Sequence, residues 1–364
     1  MKKDDIGIIV LDNILELGNM VNNNLKKIRK SKKDYIIPIT NSRFNNGEGK
    51  IKIEENIRNK DIYIISDVGN YGLTYKLYGK EHIVSPDEHF QDIKRVISAT
   101  SGSASKISVV MPLLYESRQH RRNVRESLDC AIALQELERL GVDNIITFDV
   151  HDANVSNAIP RLSFENIYPT NVIINEFIQK ENVINEDIMI ISPDFGAMER
   201  AKYYAEVLKS NVGVFYKRRD LTKLVNGKNP VVEHMYIGES VKDKNVIIVD
   251  DMIASGHSII DCAKKLKKME AKNIYIISTF VLLTEGEDIL IDAYNNNLFN
   301  KIYTTNLSYI PQNIKEKEWF NVVDCSNQLA KIINNLNMGL SLEEISYGNT
   351  NIINRIERER LKWK

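Results

Sequence analysis

Val246-Ile247-Ile248-Val249-Asp250-Asp251-Met252-Ile253-Ala254-Ser255-Gly256-His257-Ser258 is the stretch from which this chain is read. Its apolar residues predict a strand buried on both faces, with two carboxylates at the C-terminal end. A turn of small residues follows, then a segment with helical spacing. In open α/β sheets, ligands bind outside the carboxyl ends of strands. Gly256 lets the backbone come close to a ligand, and N–H groups at a helix start attract phosphate. The hydroxyls of Ser255 and Ser258 add hydrogen bonds to its oxygens. Asp250 and Asp251 suit another part of the same ligand. Adjacent carboxylates can accept from the paired hydroxyls of a ribose, or hold Mg2+ through oxygen. The plainer alternative is a serine cap on an ordinary helix behind an acidic turn. The nucleotide loop G-x-x-x-x-G-K-[ST] occurs nowhere in the chain. The stretch favours a ribose-phosphate site.

Outward from this stretch the same alternation recurs. Ile62–Ser66, Ile107–Leu114, Asn144–Val150, Ile188–Ser192, Asn245–Asp250 and Asn273–Leu283 predict buried strands. Asn123–Leu140, Gly196–Lys209 and Ser258–Glu270 space their apolar residues as helices do. Such alternation means an α/β fold with mostly parallel sheets flanked by helices. Asp129-Cys130-Ala131 before Asn144-Ile145 echoes Asp261-Cys262-Ala263 before Asn273-Ile274, which suggests two similar halves. The expected division is 1–165, 166–323, and a helical segment 324–364 packing on the first half.

At 364 residues the chain has room for two domains. Apolar residues make up 43% and charged residues 27%, a balance that argues against disorder. Lys+Arg and Asp+Glu are both 49, so no basic excess supports a nucleic-acid partner. The basic run Lys26–Lys33 reads as a solvated helix face. Three cysteines without C-x-x-C spacing favour a reducing compartment, and no run predicts a membrane span or a signal peptide. A cytoplasmic location is the expectation.

Five further segments carry chemistry. Arg43-Phe44-Asn45-Asn46-Gly47-Glu48 reads as a hairpin turn whose Phe44 can stack on a purine, with Asn46 and Glu48 able to bond its edge. Arg118-Gln119-His120-Arg121-Arg122 follows a buried strand, and guanidinium forks match phosphate oxygens. Thr147-Phe148-Asp149-Val150-His151 alternates a carboxylate and an imidazole on one face of an extended strand, a divalent-metal arrangement. Ser192-Pro193-Asp194-Phe195-Gly196 sets an acid between a strand and a helix start. Tyr216-Lys217-Arg218-Arg219 places cations beside Leu221–Pro230, which reads as a mobile loop able to close over phosphates.

The stretch at 246–258 resembles the phosphoribosyl pyrophosphate loop of the type I phosphoribosyltransferase superfamily. The other segments, in the same order, resemble ribose-phosphate pyrophosphokinases, over roughly residues 40 to 335. Val231–Ile237 with Gly238 resembles that family's connection into the phosphate loop. The resemblance implies two tandem phosphoribosyltransferase-like domains and transfer of diphosphate from ATP to ribose 5-phosphate with Mg2+. It implies catalytic cations at Lys217 and Arg219. It implies ATP contacts from Phe44, Asn46, Glu48, Arg118, Gln119, Arg121 and His151. Ribose 5-phosphate falls to Asp250, Asp251, Ser255, Gly256, His257 and Ser258, and metal to His151, Asp194 and Asp149. It further implies a homo-oligomer, a hexamer, in which the Phe44 loop covers the adenine on a neighbouring subunit.

This chain departs from that pattern. Ala254 stands where a third acid is usual, and His257 where a small residue is usual. Asn46 and His120 each replace an Asp, and Pro160-Arg161 stands where an acidic residue is usual near a Phe pair. Residues 67–106 are longer than the pattern, as is the tail beyond Met338. The competing readings are a non-catalytic regulatory subunit and a phosphoribosyltransferase.

Overall fold

The computed structural model describes residues 5–122, 124–181, 187–219, 231–347, 352–354 and 356–357, with side chains excepted at 217–219, 231–234 and 346–347. The chain forms two compact units. One comprises 1–169, 306–311 and 324–347; the other comprises 170–305, 312–323 and 348–364.

In the first unit the runs of Ile and Val become strands of a parallel sheet. These are β1 (Ile6–Val10), β4 (Asp61–Ile65), β7 (Lys106–Val110), β8 (Asn144–Phe148) and β9 (Ser163–Ile167), in that spatial order. Two antiparallel hairpins stand apart from the sheet: β2 (Ile39–Arg43) with β3 (Gly49–Ile53), and β5 (Thr74–Leu77) with β6 (Lys80–Ile83). Helices α1 (Leu15–Arg29), α2 (Pro86–Thr100) and α3 (Asp129–Arg139) connect the strands. The helix Ser326–Met338 lies against α1, where Arg29 donates to Asn334 at 3.0 Å and to Asn337 at 2.6 Å. Buried Ile64, Val109, Ile145, Ile93 and Leu134 make the core between sheet and helices.

The second unit has a seven-stranded sheet. Its strands are β10 (Ile188–Ser192), β11 (Asn211–Arg219), β12 (Val231–Ile237), β13 (Asn245–Ile253), β14 (Asn273–Val281), β15 (Lys301–Thr305) and β16 (Phe320–Val323). Helices α4 (Thr170–Lys180), α5 (Met198–Leu208), α6 (His257–Lys268) and α7 (Asp288–Asn295) run between them. The spatial order is β12-β11-β10-β13-β14-β15-β16, parallel except for β12. From β10 the chain winds outward to β12, then returns to lay β13 on the other side of β10. The strand order therefore reverses between β10 and β13, and such a switch point opens a crevice at the strands' carboxyl ends.

Three predicted bounds are corrected. The strand expected to reach Leu114 ends at Val110, because Pro112 has no N–H to donate; its carbonyl instead accepts from Phe148 N at 3.0 Å. The helix expected from Asn123 begins at Asp129, and Cys130 is its first buried apolar position. The strand expected to end at Asp250 continues to Ile253, paired with Val281.

Candidate active site

The switch point of the second unit carries two loops. After β13 the backbone turns through Gly256 at φ 86°, in the left-handed region, and α6 starts at His257. Glycine alone adopts that conformation without strain, and an added Cβ would lie 3.3 Å from Ile289 and Leu290. The turn is pinned from beside it: Leu282 N donates to Ile253 O at 2.8 Å, and Thr284 N to Ala254 O at 3.0 Å. No side chain caps α6, so the orphan donors of its first turn are what the loop offers to an anion. Ser255 is half-buried in the turn and Ser258 is exposed in the helix's first turn. The His257 ring does not fold over the turn. It meets Glu285, Nε2 to Oε2 at 3.0 Å, with both side chains more than half exposed.

Alternation along β13 puts Asp250 on the more open side and Asp251 on the buried side. Asp251 N donates to Asp250 Oδ1 at 2.9 Å. Burial, then the neighbouring Asp251 carboxylate, holds the Asp250 pKa well above the ordinary range, while Arg200 pulls it down and Asp194 raises it further. Asp194 stands on the exposed loop after β10. Its Oδ1 accepts from Gly196 N at 2.8 Å and Ala197 N at 3.2 Å, which shapes the entry to α5. The Phe195 ring meets Tyr216 edge to face at 5.9 Å. Lys217 and Arg219 end β11, opposite His234 and Val231 of β12 with a bulge at Arg218/Arg219; their side chains, and the expected loop Leu221–Pro230, lie outside the described residues.

The first unit, taken by itself, carries loops after β7 and β8 and a hairpin tip where the sequence places candidate residues. In the hairpin, Gly47 N donates to Phe44 O at 2.9 Å and Glu48 N to Asn46 Oδ1 at 3.1 Å, leaving Phe44 half exposed. Asn46 and Glu48 are exposed beside it. Arg43 is gripped by the buried Asp92 at 2.6 Å and lies over the Tyr75 ring at 5.3 Å. Tyr78 N donates to Asn45 O at 2.8 Å, so the β5–β6 hairpin, within the longer 67–106 segment, braces this tip. Glu88 in turn anchors β5–β6, accepting from Tyr75 at 2.6 Å and meeting His82 at 3.1 Å.

The Arg118–Arg121 segment is held by Gln119, whose N donates to Glu116 O at 2.8 Å and whose carbonyl accepts from Cys130 N at 3.4 Å. Arg118, Gln119 and Arg121 are exposed. Asp149 and His151 do not share a strand face as expected. β8 ends at Phe148, Asp149 takes φ 43° and is buried, and His151 is exposed. The His151 ring instead meets His120 edge to face at 5.4 Å.

Sequence reasoning missed Arg200, Asp92, Glu285 and Asp152. Asp92 carried a signal only as an acid close before Arg95, and Asp152 only as the acid directly after His151; Arg200 and Glu285 carried none. Among the described residues, no three His, Cys, Asp or Glu side chains gather as a metal cage. Magnesium on a triphosphate needs only one or two protein carboxylates, because phosphates and water supply the other oxygens. Asp194, Asp250 and Asp251 fit that requirement. Among the described residues, no helix is long and apolar enough to cross a membrane.

Residues 8–141 match the family described as the N-terminal domain of ribose phosphate pyrophosphokinase, and residues 163–309 match the phosphoribosyl transferase domain. The ribose-phosphate pyrophosphokinase of Mycoplasma genitalium is 25% identical over 88% of this chain and 86% of its own length. That of Thermotoga maritima is 27% identical over 83% of this chain and 88% of its own. The crystal structure of phosphoribosylpyrophosphate synthetase from Mycobacterium smegmatis superposes with TM-score 0.76 at 20% identity, covering 92% of this chain and 99% of that one; the likeness is one of fold.

Proposed function

The chain belongs to the ribose-phosphate pyrophosphokinase family, and we propose that it transfers the β,γ-diphosphoryl group of ATP to the C1 hydroxyl of ribose 5-phosphate. The observation that carries this reading is the loop from Asp250 to Ser258, an acid pair and an uncapped helix start at a topological switch point.

In the reaction the C1 hydroxyl gives up its proton to water as its oxygen forms a bond to the β-phosphorus. The bond from that phosphorus to the oxygen bridging the α-phosphate breaks, and AMP leaves with that oxygen. Transfers of this kind rest on alignment and charge stabilisation more than on covalent help. The N–H groups from Ser255 to Ser258 take the 5-phosphate, with the two serine hydroxyls beside them. Asp250 and Asp251 take the ribose hydroxyls. Asp250 is the more accessible of the two. Arg118, Gln119, Arg121 and His151 hold the triphosphate. Phe44, Asn46 and Glu48 of a second copy frame the adenine in a homo-oligomer, a hexamer by resemblance. Lys217 and Arg219 neutralise charge growing on the β-phosphate and the leaving oxygen. Mg2+, when bound through Asp194, the acid pair, Asp149 or His151, supplies charge neutralisation at the transferred phosphates. A cytoplasmic location belongs to the same reading.

The test is incubation of the purified protein with ATP, ribose 5-phosphate and Mg2+, following AMP by chromatography. AMP that depends on ribose 5-phosphate is the expected result. No AMP under any divalent ion or added phosphate would point to a regulatory subunit, and diphosphate released only with a nucleobase would point to a phosphoribosyltransferase.

A further inference from the structure

His120 stands where the family pattern has an acid, and the structure supplies an acid facing it. His120 Nε2 lies 3.3 Å from Asp152 Oδ2, with 10% of the His120 side chain exposed and 29% of that of Asp152. Its Nδ1 is buried without a hydrogen-bond partner. A proton there would have no acceptor, so the proton belongs on Nε2, which donates to Asp152. The carboxylate is fully engaged. Its Oδ1 accepts from the backbone and side-chain nitrogens of Asn154, each at 2.9 Å, which shapes the turn into 153–158. Asp152 therefore joins two loops that leave neighbouring parallel strands, β7 and β8, one carrying Arg118–Arg121 and the other His151.

We propose that His120 and Asp152 are a positioning pair that fixes the arginine segment against the His151 loop and so sets the affinity for the nucleotide triphosphate. The histidine of the pair stands where the family pattern has an acid, and Asp152 is the acid that faces it. Neither residue touches the reacting atoms. The pair deepens the proposed activity and rests on it for the identity of the nucleotide.

The consequence runs against the family pattern. His120→Asp restores the usual residue, yet here it sets two carboxylates face to face. Adding Asp152→Asn removes the repulsion, keeps an oxygen for Asn154 and supplies an amide donor. In the full-length protein, His120→Asp is expected to weaken binding of α,β-methylene ATP, measured calorimetrically, by about tenfold, the scale of losing a hydrogen bond to a charged group. The KM for ribose 5-phosphate stays within about twofold of wild type. Amide hydrogen exchange across 149–158 speeds up by a similar factor. The double variant recovers most of both losses. Unchanged nucleotide affinity in His120→Asp, or a double variant no better than the single, overturns the proposal. If wild type makes no AMP, the proposed activity fails separately, and exchange across 149–158 with and without Asp152→Asn still decides whether the tie exists.

Discussion

In the proposed activity, the loop after β13 and the loops after β7 and β8 meet phosphate in different ways. In the second unit the strand order reverses beside β13, and topology alone opens a crevice beside the uncapped N–H groups at the start of α6. In the first unit the sheet order β1-β4-β7-β8-β9 follows the chain, and the predicted contacts are side chains on loops. A site built from backbone tolerates drift in side chains that point away from it. A site built from side chains must compensate each change with another. Ala254 and His257 in the first case, and His120 with Asp152 in the second, illustrate the difference.

The largest expected effect lies where charge, rather than geometry, is the contribution. Lys217→Ala should lower AMP turnover by about a hundredfold or more, roughly 3–4 kcal/mol by analogy with loss of one preorganised donor, while ATP affinity changes little. A variant with near-normal turnover and a raised KM would make Lys217 a binding residue and remove the distinction between positioning and stabilising groups. The same assay on Arg219→Ala tells whether the two cations act as a unit.

The second effect tests the dependence of the first unit on buried side chains. Asp67, after β4, is fully buried and accepts from Gly69 N at 2.9 Å, Tyr309 N at 2.7 Å and the Ser308 hydroxyl. It ties the loop to 306–311 of the same unit. Burial outweighs these bonds and raises its pKa from 3.8 to about 6. The folded form therefore keeps the proton after the unfolded chain has lost it. Stability from this group is full below the unfolded pKa and falls as pH rises from about 4 to 6, by roughly 3 kcal/mol. Melting curves of wild type should decline across that window relative to Asp67→Asn. Parallel curves would mean that the three donors stabilise the carboxylate as fully as water does.

Much of this architecture can be read from the residues, and the failures have physical causes. β10 is recovered residue for residue because Ile188–Ser192 is an apolar run closed by Pro193. The β5–β6 hairpin carries no recognisable turn signal. Its tip, Tyr78-Gly79, takes φ 48° and 79°, a conformation usually announced by Asn-Gly rather than by an aromatic residue. Asp149 defeats the alternation rule because its positive φ ends the extended backbone just where the side chains were to be counted. The His120–Asp152 contact depends on β7 and β8 being spatial neighbours, so no local window contains it.

A third effect, smaller again, asks how much the backbone turn of the second unit matters. Gly256→Val should raise the KM for ribose 5-phosphate by about tenfold, since a left-handed conformation costs other residues roughly 1–2 kcal/mol. Contact of the new side chain with Ile289 and Leu290 adds to this. The KM for ATP should move less. Equal loss on both substrates would indicate collapse of the unit rather than distortion of one turn, which a melting measurement would also register.

The smallest effect is the most discriminating. His257 sits at the first residue of α6, where a bulky side chain would be expected to crowd the phosphate, yet its ring turns to Glu285 on the surface. An exposed pair of this kind contributes about 0–1 kcal/mol, and the α6 N–H groups do not depend on it. His257→Gly should therefore leave the KM for ribose 5-phosphate within about threefold of wild type, the scale of such a pair. The alternative is that the imidazole leaves Glu285 and joins the phosphate once ligand arrives. In that case His257→Gly raises the KM tenfold, and Glu285→Gln lowers it by freeing the ring. The two variants move the same constant in opposite directions under the second scheme and scarcely at all under the first. They decide whether the phosphate turn is made of backbone alone.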